Sequence, residues 1–248
     1  MQIAPVSLAL IAVAVFLSAV LRGFTGFGFA LAAVPLISLV EPPAGTVALV
    51  ILLQIWVGLR DTVRIHAMVD RPSLIRLVIG ALIGTPVGIY ALSRLEPSVT
   101  RLAIAAIVCL GAIFLARKPS AGAKGRLAVP AGLLSGIFGG LAAMPGPPAV
   151  AFYLSLPITP RVARASLIVF FFCTSLIALP GLMLAGLVDG PTFALSLGSL
   201  PLVLLGTALG TLLFRRSSDA GYRRFALAVL VALAIGTGVR GALELFMF

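Results

Sequence analysis

Long apolar runs, separated by short polar loops, cover most of the chain. Each run approaches the roughly 20 residues that an α-helix needs to cross about 30 Å of hydrocarbon. Seven runs carry almost no charge, and they lie at residues 2–21, 44–59, 73–92, 102–116, 165–188, 193–214 and 225–239. This pattern predicts an all-α polytopic membrane protein. Because so little chain lies between the runs, we expect a single membrane domain over residues 1–248.

The first run has the length of a signal peptide but lacks its other features. A secretory signal begins with basic residues and ends at a small-residue cleavage site. Here no Lys or Arg precedes Arg22, and no such site leads into a soluble domain. We therefore interpret residues 2–21 as a retained membrane segment.

Glycine and proline interrupt the chain at two places, across residues 22–28 and 139–148. The apolar runs that follow, 29–40 and 149–156, are too short to cross a bilayer at 1.5 Å per residue. Irregular backbone is tolerated at membrane depth where it is buried in protein or lines a cavity. Both interruptions therefore predict broken, re-entrant helical hairpins.

The two halves of the chain share a sparse repeat. Residues 82–88, Leu-Ile-Gly-Thr-Pro-Val-Gly, resemble residues 204–210, Leu-Leu-Gly-Thr-Ala-Leu-Gly, at an offset of 122. Further matches at smaller offsets pair Pro43 with Pro160, Gly23 with Gly136 and Gly26 with Gly139. Internal repeats are common in secondary transporters. We predict repeats of about 1–118 and 125–248, each a hairpin plus three transmembrane helices.

The distribution of charge favours the re-entrant arrangement. The chain is 61% hydrophobic with a mean hydropathy of +1.21, and carries 18 Lys and Arg against 7 Asp and Glu. If each hairpin returns to its own side, one face collects fourteen basic residues and the other keeps Arg94, Arg101 and Arg240. Such asymmetry marks the cytoplasmic face. It predicts inverted repeats in the inner membrane, with both termini outside. The expected partner of the basic loops is the lipid bilayer, not nucleic acid.

Arg22 is the basic residue that lies away from the loop clusters, beside the first interruption. A cation at membrane depth is costly, so it suggests a function. Free N–H groups at the start of the next half-helix suit an anion, and a guanidinium matches an oxyanion. We expect substrate to bind there, at Arg22, Gly23, Thr25, Gly26 and Gly28. The alternative is an Arg22 that reaches the interface or binds hairpin carbonyls.

The second interruption should face the first across a cavity. It carries no charge, and we expect it to contribute Gly139, Gly140, Met144 and Gly146. Polar residues on other runs could line the path, and the candidates are Thr46, Gln54 and Ser166. Each of these alone is more typical of helix packing or capping. The glycines at 80, 84 and 88 and at 206 and 210 are also typical of close helix packing.

The sequence offers no enzyme chemistry. It lacks a P-loop, a Gly-x-Ser-x-Gly elbow and a metal-ligand spacing. All seven acids fall at or near loops, and His66 lies in a polar loop, so a buried proton relay is poorly supported. Cys109 and Cys173 sit inside apolar runs, where small buried side chains are expected rather than a disulfide or metal site. We predict no cofactor, no metal and no catalytic residue.

These residues resemble the TauE/SafE family of sulfite exporters, which are small inner-membrane anion permeases. The resemblance covers nearly the whole chain and is most specific at residues 23–30, 35–36, 80–88 and 139–148. It implies export or uptake of sulfite, sulfoacetate or a related organosulfur or carboxylate anion. The first tip departs from the family, because Phe24 and Thr25 interrupt its glycine run. The second tip, residues 142–148, has fewer glycines than many relatives, which leaves the substrate open.

The sequence therefore predicts a permease for a small anion that works by alternating access around the two hairpins. The alternatives are a membrane scaffold or accessory subunit and an anion channel. The sequence is also compatible with a homo-oligomer.

Overall fold

The computed structural model of the chain describes residues 5–25, 28–65, 68–116, 127–215 and 219–246. These residues form helices joined by short loops, and no β-strand occurs among them, which confirms the predicted all-α class. The helices are α1 Pro5–Thr25, α2 Phe29–Ser38, α3 Pro43–Ile65, α4 Arg71–Arg94, α5 Pro97–Ala116, α6 Ala128–Ala142, α7 Gly146–Leu154, α8 Pro160–Leu184, α9 Gly190–Gly198, α10 Leu200–Arg215 and α11 Asp219–Phe246.

Five stretches of the described chain are long and apolar enough to cross a membrane. They are Val6–Gly23, Pro43–Val63, Arg71–Arg94, Pro160–Leu184 and Gly190–Leu213. The last of these is divided between α9 and α10, a break that the sequence pattern did not predict. Large apolar side chains on these helices point away from the protein; Leu184, for example, is 90% exposed. Such continuous apolar exposure is expected of a lipid-facing surface.

Glycine brings α4 and α6 into backbone contact. A Cβ atom at Gly80, Gly84 or Gly88 would overlap a backbone oxygen of α6, at Val129, Leu133 and Ile137 respectively. Because both sets of residues rise along the chain together, α4 and α6 run parallel. The prediction that these glycines serve helix packing is confirmed.

A similar contact joins α1 to α10. A Cβ atom at Gly206 would lie 2.7 Å from the backbone oxygen of Phe16, and one at Gly23 would overlap the backbone oxygen of Thr207. The order of these contacts makes α1 and α10 parallel as well. Gly23 therefore packs two helices together.

Both predicted chain breaks lie later than the glycines suggested. Helix α1 continues through Arg22 and Gly23 to Thr25, and α6 continues through Gly139 and Gly140 to Ala142. In an apolar environment unpaired backbone groups are costly, so glycine inside a helix does not end it. The break that follows α6 consists of Ala143, Met144 and Pro145, the three residues before α7.

Two antiparallel pairs complete the core. Helix α3 packs on α8, where Gly58 contacts the ring of Phe172. Helix α5 packs on α11, where Arg101 forms an ion pair with Glu244. The Arg101 Nε atom also donates a hydrogen bond of 2.9 Å to the carbonyl oxygen of Ser38, the last residue of α2.

Candidate binding site

A small cavity lies where the two helix breaks meet α3, α8 and α10. Its volume is about 50 Å³, whereas a single water needs roughly 10–15 Å³ on the same measure. It is therefore sized for a few waters or one small anion. The lining is mostly apolar and includes Phe29, Leu53, Met144, Phe171, Phe172 and Val203. We call it the central cavity.

Arg22 is the one charged residue that lines the central cavity in the described part of the chain. Its Nη2 atom donates a hydrogen bond of 2.7 Å to Oδ2 of Asp61, which lies near the end of α3. The side chains are 15% and 27% exposed. Charge-assisted bonds of this length are among the stronger ones in proteins. Asp61 lies four residues before the end of α3, so this acid is near a loop, as expected, and is also the ion-pair partner of Arg22.

Gly28 shapes the first side of the cavity. It precedes α2 with φ of 96°, a left-handed conformation that only glycine adopts without strain. The first residues of α2 follow directly and line the cavity. Since the first N–H groups of a helix have no partner within it, α2 presents its positive end there.

The second side of the cavity is formed by the chain between α6 and α7. Ala143 adopts a left-handed φ of 55°, and Met144 is buried against the cavity. Gly146 begins α7 and lines the same space, so the positive end of α7 also faces it. Gln54 holds this turn in place, because its Nε2 atom donates a hydrogen bond of 3.0 Å to the Ala143 carbonyl.

The structure brings five of the predicted site residues together. These five, which all line the central cavity, are Arg22, Gly28, Gln54, Met144 and Gly146. The side chain of Thr25 and the whole of Gly26 lie outside the described residues.

The other predicted residues lie elsewhere. Gly23 and Gly140 pack against the backbones of α10 and α4, and Gly139 lies against Pro145. Thr46 lies near the start of α3, and its hydroxyl donates a hydrogen bond to the Pro42 carbonyl. Ser166 accepts a hydrogen bond of 2.9 Å from the backbone N–H of Asp70. For Thr46 and Ser166 these positions fit packing and capping, the alternative that the sequence left open. For the three glycines, the sequence analysis gave no packing role.

A larger cavity lies beyond the Arg22–Asp61 pair. It has a volume of about 680 Å³, and we call it the arginine vestibule after Arg60, Arg161 and Arg164, which line it together with Asp61. The three arginines are exposed. None of them forms an ion pair with another described residue. This vestibule is thus an open basic compartment.

A third cavity, of about 270 Å³, lies at the other end of α3. We call it the carboxylate cavity, after Glu41 and Asp189. Asp189 caps α9 and accepts a hydrogen bond of 2.8 Å from the Thr192 N–H. Hydrogen bonds from Thr192 hold the pKa of Asp189 below its usual value, so this group stays ionised at neutral pH.

The three cavities follow one another along α3. Thr46 lines the carboxylate cavity, Gln54 the central cavity and Asp61 the arginine vestibule. At 1.5 Å per residue, Thr46 and Asp61 are about 22 Å apart. The cavities therefore trace a path through most of the helix length, with Arg22 between the middle and the basic end.

Several lining residues escaped the sequence analysis, above all Asp61, Phe171 and Phe172. The sequence does give one indication of Asp61, because an intramembrane cation is expected to have an acidic partner. It gives none for the two phenylalanines, since apolar side chains are common throughout the chain. No group of three His, Cys, Asp or Glu side chains capable of holding a metal occurs among the described residues.

Comparisons with known proteins give a family match and a curated relative. The family model described as "Sulfite exporter TauE/SafE" matches residues 10–237. A curated protein of Cupriavidus necator, named "Probable sulfite/organosulfonate exporter TauE", is 28% identical over 172 residues, which cover 66% of this chain and 67% of that protein. No solved structure matches the chain significantly.

Proposed function

Because the chain belongs to the TauE/SafE family of sulfite exporters, we propose that it exports a small sulfur-containing or carboxylate anion, such as sulfite or sulfoacetate. The resemblance seen in the sequence is confirmed. The chain is a multi-pass cell-membrane transporter, not an enzyme. The exact substrate and the transport cycle are the subject of the proposal.

The proposed anion site is the central cavity. The main observation that supports it is that the Arg22 side chain lines this cavity. A guanidinium offers planar donors that match a sulfonate, sulfite or carboxylate. The apolar lining strengthens that attraction by excluding water. The positive ends of α2 and α7 add dipoles of the same sign. A negative charge is the guest that this combination favours.

We propose that both hairpins are re-entrant and that they enter the membrane from opposite sides. Helix α8 is antiparallel to α3, so it ends where α3 begins, and α10 starts from that side. Helix α1 is parallel to α10, and α2 leads by a short loop into α3, so the first hairpin would enter and leave there. The same reasoning supports the second hairpin on the other side, because α6 is parallel to α4 and α7 leads into α8.

Matching contacts support the inverted repeat. Gly23 packs on the Thr207 backbone, and Gly140 packs on the Thr85 backbone. Gly140 lies 117 residues after Gly23, and Thr207 lies 122 residues after Thr85. Each hairpin glycine therefore contacts the equivalent later helix of the other half. The Ser38 hydroxyl donates to the carbonyl three residues before it, and Ser155, 117 residues later, does the same. In this alignment Gly23 corresponds to Gly140 rather than to Gly136.

The export direction fits the charges along the path. By the positive-inside rule, the basic loops favour the cytoplasmic side for the arginine vestibule. A basic compartment concentrates anions and raises the rate at which they enter. The carboxylate cavity would then face outward and would not retain an anion.

Flux in proteoliposomes tests the proposal. We expect the wild type to move ³⁵S-labelled sulfite down its gradient with saturable kinetics, and Arg22→Gln to lose at least about tenfold in flux because a charged hydrogen-bonding partner is lost. Arg94→Gln is the matched control, since exposed Arg94 stacks on Tyr90 away from all three cavities. Equal sulfite flux through wild type and Arg22→Gln would contradict the proposed site.

The same assay separates a carrier from a channel. Alternating access requires a conformational step in each cycle, so the flux should saturate with sulfite concentration. Flux that rises linearly to rates near diffusion would indicate an open pore. A wild type that moves none of sulfite, sulfoacetate or acetate would contradict the transport proposal itself.

A further inference from the structure

We propose that Asp61 is the gate and the selectivity determinant of the anion site. Its carboxylate holds Arg22 while no anion is bound, and an anion enters the central cavity by taking Arg22 from it. This inference rests on the proposed function, because it takes Arg22 as the partner of the anion.

The position of the ion pair supports a gate. Arg22 lines the central cavity and Asp61 lines the arginine vestibule. Apart from this pair, the described lining residues of the two cavities have one member in common, Ile168. The bond between the Arg22 Nη2 and Asp61 Oδ2 atoms, 2.7 Å long, therefore crosses the boundary between them. In the proposed gate, an anion that passes from the vestibule to Arg22 displaces the Asp61 carboxylate from this bond.

The vestibule can receive the displaced carboxylate. Arg60 lies beside Asp61 on α3, and Arg161 and Arg164 face the same space from α8. From α10 the vestibule is lined by Thr207, whose buried hydroxyl has no hydrogen-bond partner among the described residues. A freed Asp61 thus finds cations and a hydroxyl donor within its own cavity.

The exchange keeps charges paired throughout. The anion leaves the vestibule arginines for Arg22, while Asp61 leaves Arg22 for the vestibule arginines. Neither step buries a bare charge, which would be costly in this environment. A neutral solute offers Arg22 no replacement for the carboxylate, so the pair stays closed to it. The gate therefore selects for negative charge.

The direct consequence is that Asp61 competes with the substrate. Asp61→Asn removes the competing charge but keeps the shape and polarity of the side chain. We expect purified Asp61→Asn protein to bind ³⁵S-sulfite about tenfold or more tightly than the wild type, because a charged hydrogen bond no longer has to be broken. Scintillation proximity binding at equilibrium measures this change.

Two controls separate competition from a general change of charge. Asp70→Asn removes a negative charge near the start of α4, outside the lining of the vestibule and the central cavity, and should leave sulfite affinity within about twofold of wild type. In an Arg22→Gln background, Asp61→Asn should bring no gain, because the competition is for Arg22. A gain of equal size in both backgrounds would overturn the inference.

The remaining outcomes are equally decisive. If wild type binds sulfite and Asp61→Asn binds it no more tightly, the gate is wrong and the proposed transport function stands. If neither protein binds sulfite, sulfoacetate or acetate, both proposals fail. Asp61→Ser, a second neutral variant in the same solvated cavity, decides the matter if Asp61→Asn does not purify as a folded protein.

Discussion

Glycine at single positions serves two separate purposes in this protein. Gly84 and Gly140 allow the backbones of α4 and α6 to touch, since a Cβ atom at either would overlap a backbone oxygen. Gly28 instead supplies a left-handed turn before α2. The same residue type thus builds the rigid helix pair and the turn that lines the central cavity.

Gly140→Ala tests the packing role. The added methyl group would meet the Thr85 backbone oxygen, which cannot rotate away, so α4 and α6 must separate. We expect a loss of about 1–3 kcal/mol in the free energy of unfolding. Unfolding in mixed dodecylmaltoside and sodium dodecyl sulfate micelles measures it.

Gly236→Ala is the matched control for that substitution. A Cβ atom at Gly236 would have no neighbour within 4 Å, and alanine favours a helix by about 0.8–1 kcal/mol over glycine. The free energy of unfolding of Gly236→Ala should therefore not fall below that of the wild type. Equal stability of Gly140→Ala and Gly236→Ala would contradict the close contact between α4 and α6.

At the scale of elements, the two hairpins are held in different ways. The first is fixed at its base, where Arg101 binds the last carbonyl of α2 and the Glu244 carboxylate of α11. The second is fixed at its tip, where Gln54 of α3 binds the Ala143 carbonyl. Transport by alternating access requires some of these contacts to persist while others break.

Arg101→Met tests the anchor of the first hairpin. Methionine keeps much of the apolar volume but leaves the Ser38 carbonyl without its donor. We expect a loss of about 1–3 kcal/mol in the free energy of unfolding, the typical cost of a buried unpaired polar group. The same detergent titration measures it.

Arg240→Met provides the comparison for Arg101. Arg240 binds the same carboxylate of Glu244 at 3.1 Å but is 41% exposed. An exposed i,i+4 pair is worth only about 0.3–0.5 kcal/mol. If Arg240→Met destabilised the protein as much as Arg101→Met, the anchoring role of Arg101 would be wrong.

The elements also show how far the sequence alone could reach. Apolar length predicted the long helices, because the bilayer fixes how many residues a span needs. The ends of α1 and α6 were misplaced, because Gly23, Gly139 and Gly140 were interpreted as breaks. Gly23 and Gly140 instead pack against other helices, and Gly139 lies against Pro145. The Arg22 partner was missed for a related reason, since Asp61 is 39 residues away and only the fold brings them together.

At the scale of the whole molecule, charge changes sign along the path. The arginine vestibule lies at one end, Arg22 near the middle and the carboxylate cavity at the other end. Between the central and carboxylate cavities, α3 places the fully buried side chains of Val50 and Ile51. The path is therefore closed by apolar packing at one end and by the Arg22–Asp61 pair at the other.

The orientation of the molecule gives a further prediction. If both hairpins re-enter, three helices cross in each half and both termini lie on the side opposite the basic loops. Alkaline phosphatase, which is active outside the cytoplasm, should then be active when fused after Phe248. Green fluorescent protein at the same position should stay dark, and a fluorescent fusion would contradict the proposed topology.

The central claim is that an anion binds to Arg22 between the tips of the two hairpins. Selenite has the shape and charge of sulfite, and selenium scatters X-rays anomalously. In crystals soaked with selenite, we predict the strongest anomalous peak in the central cavity, with its oxygens about 2.7–3.2 Å from the Arg22 guanidinium. A strongest peak in the arginine vestibule or on the protein surface, with the Arg22–Asp61 bond intact, would contradict the claim.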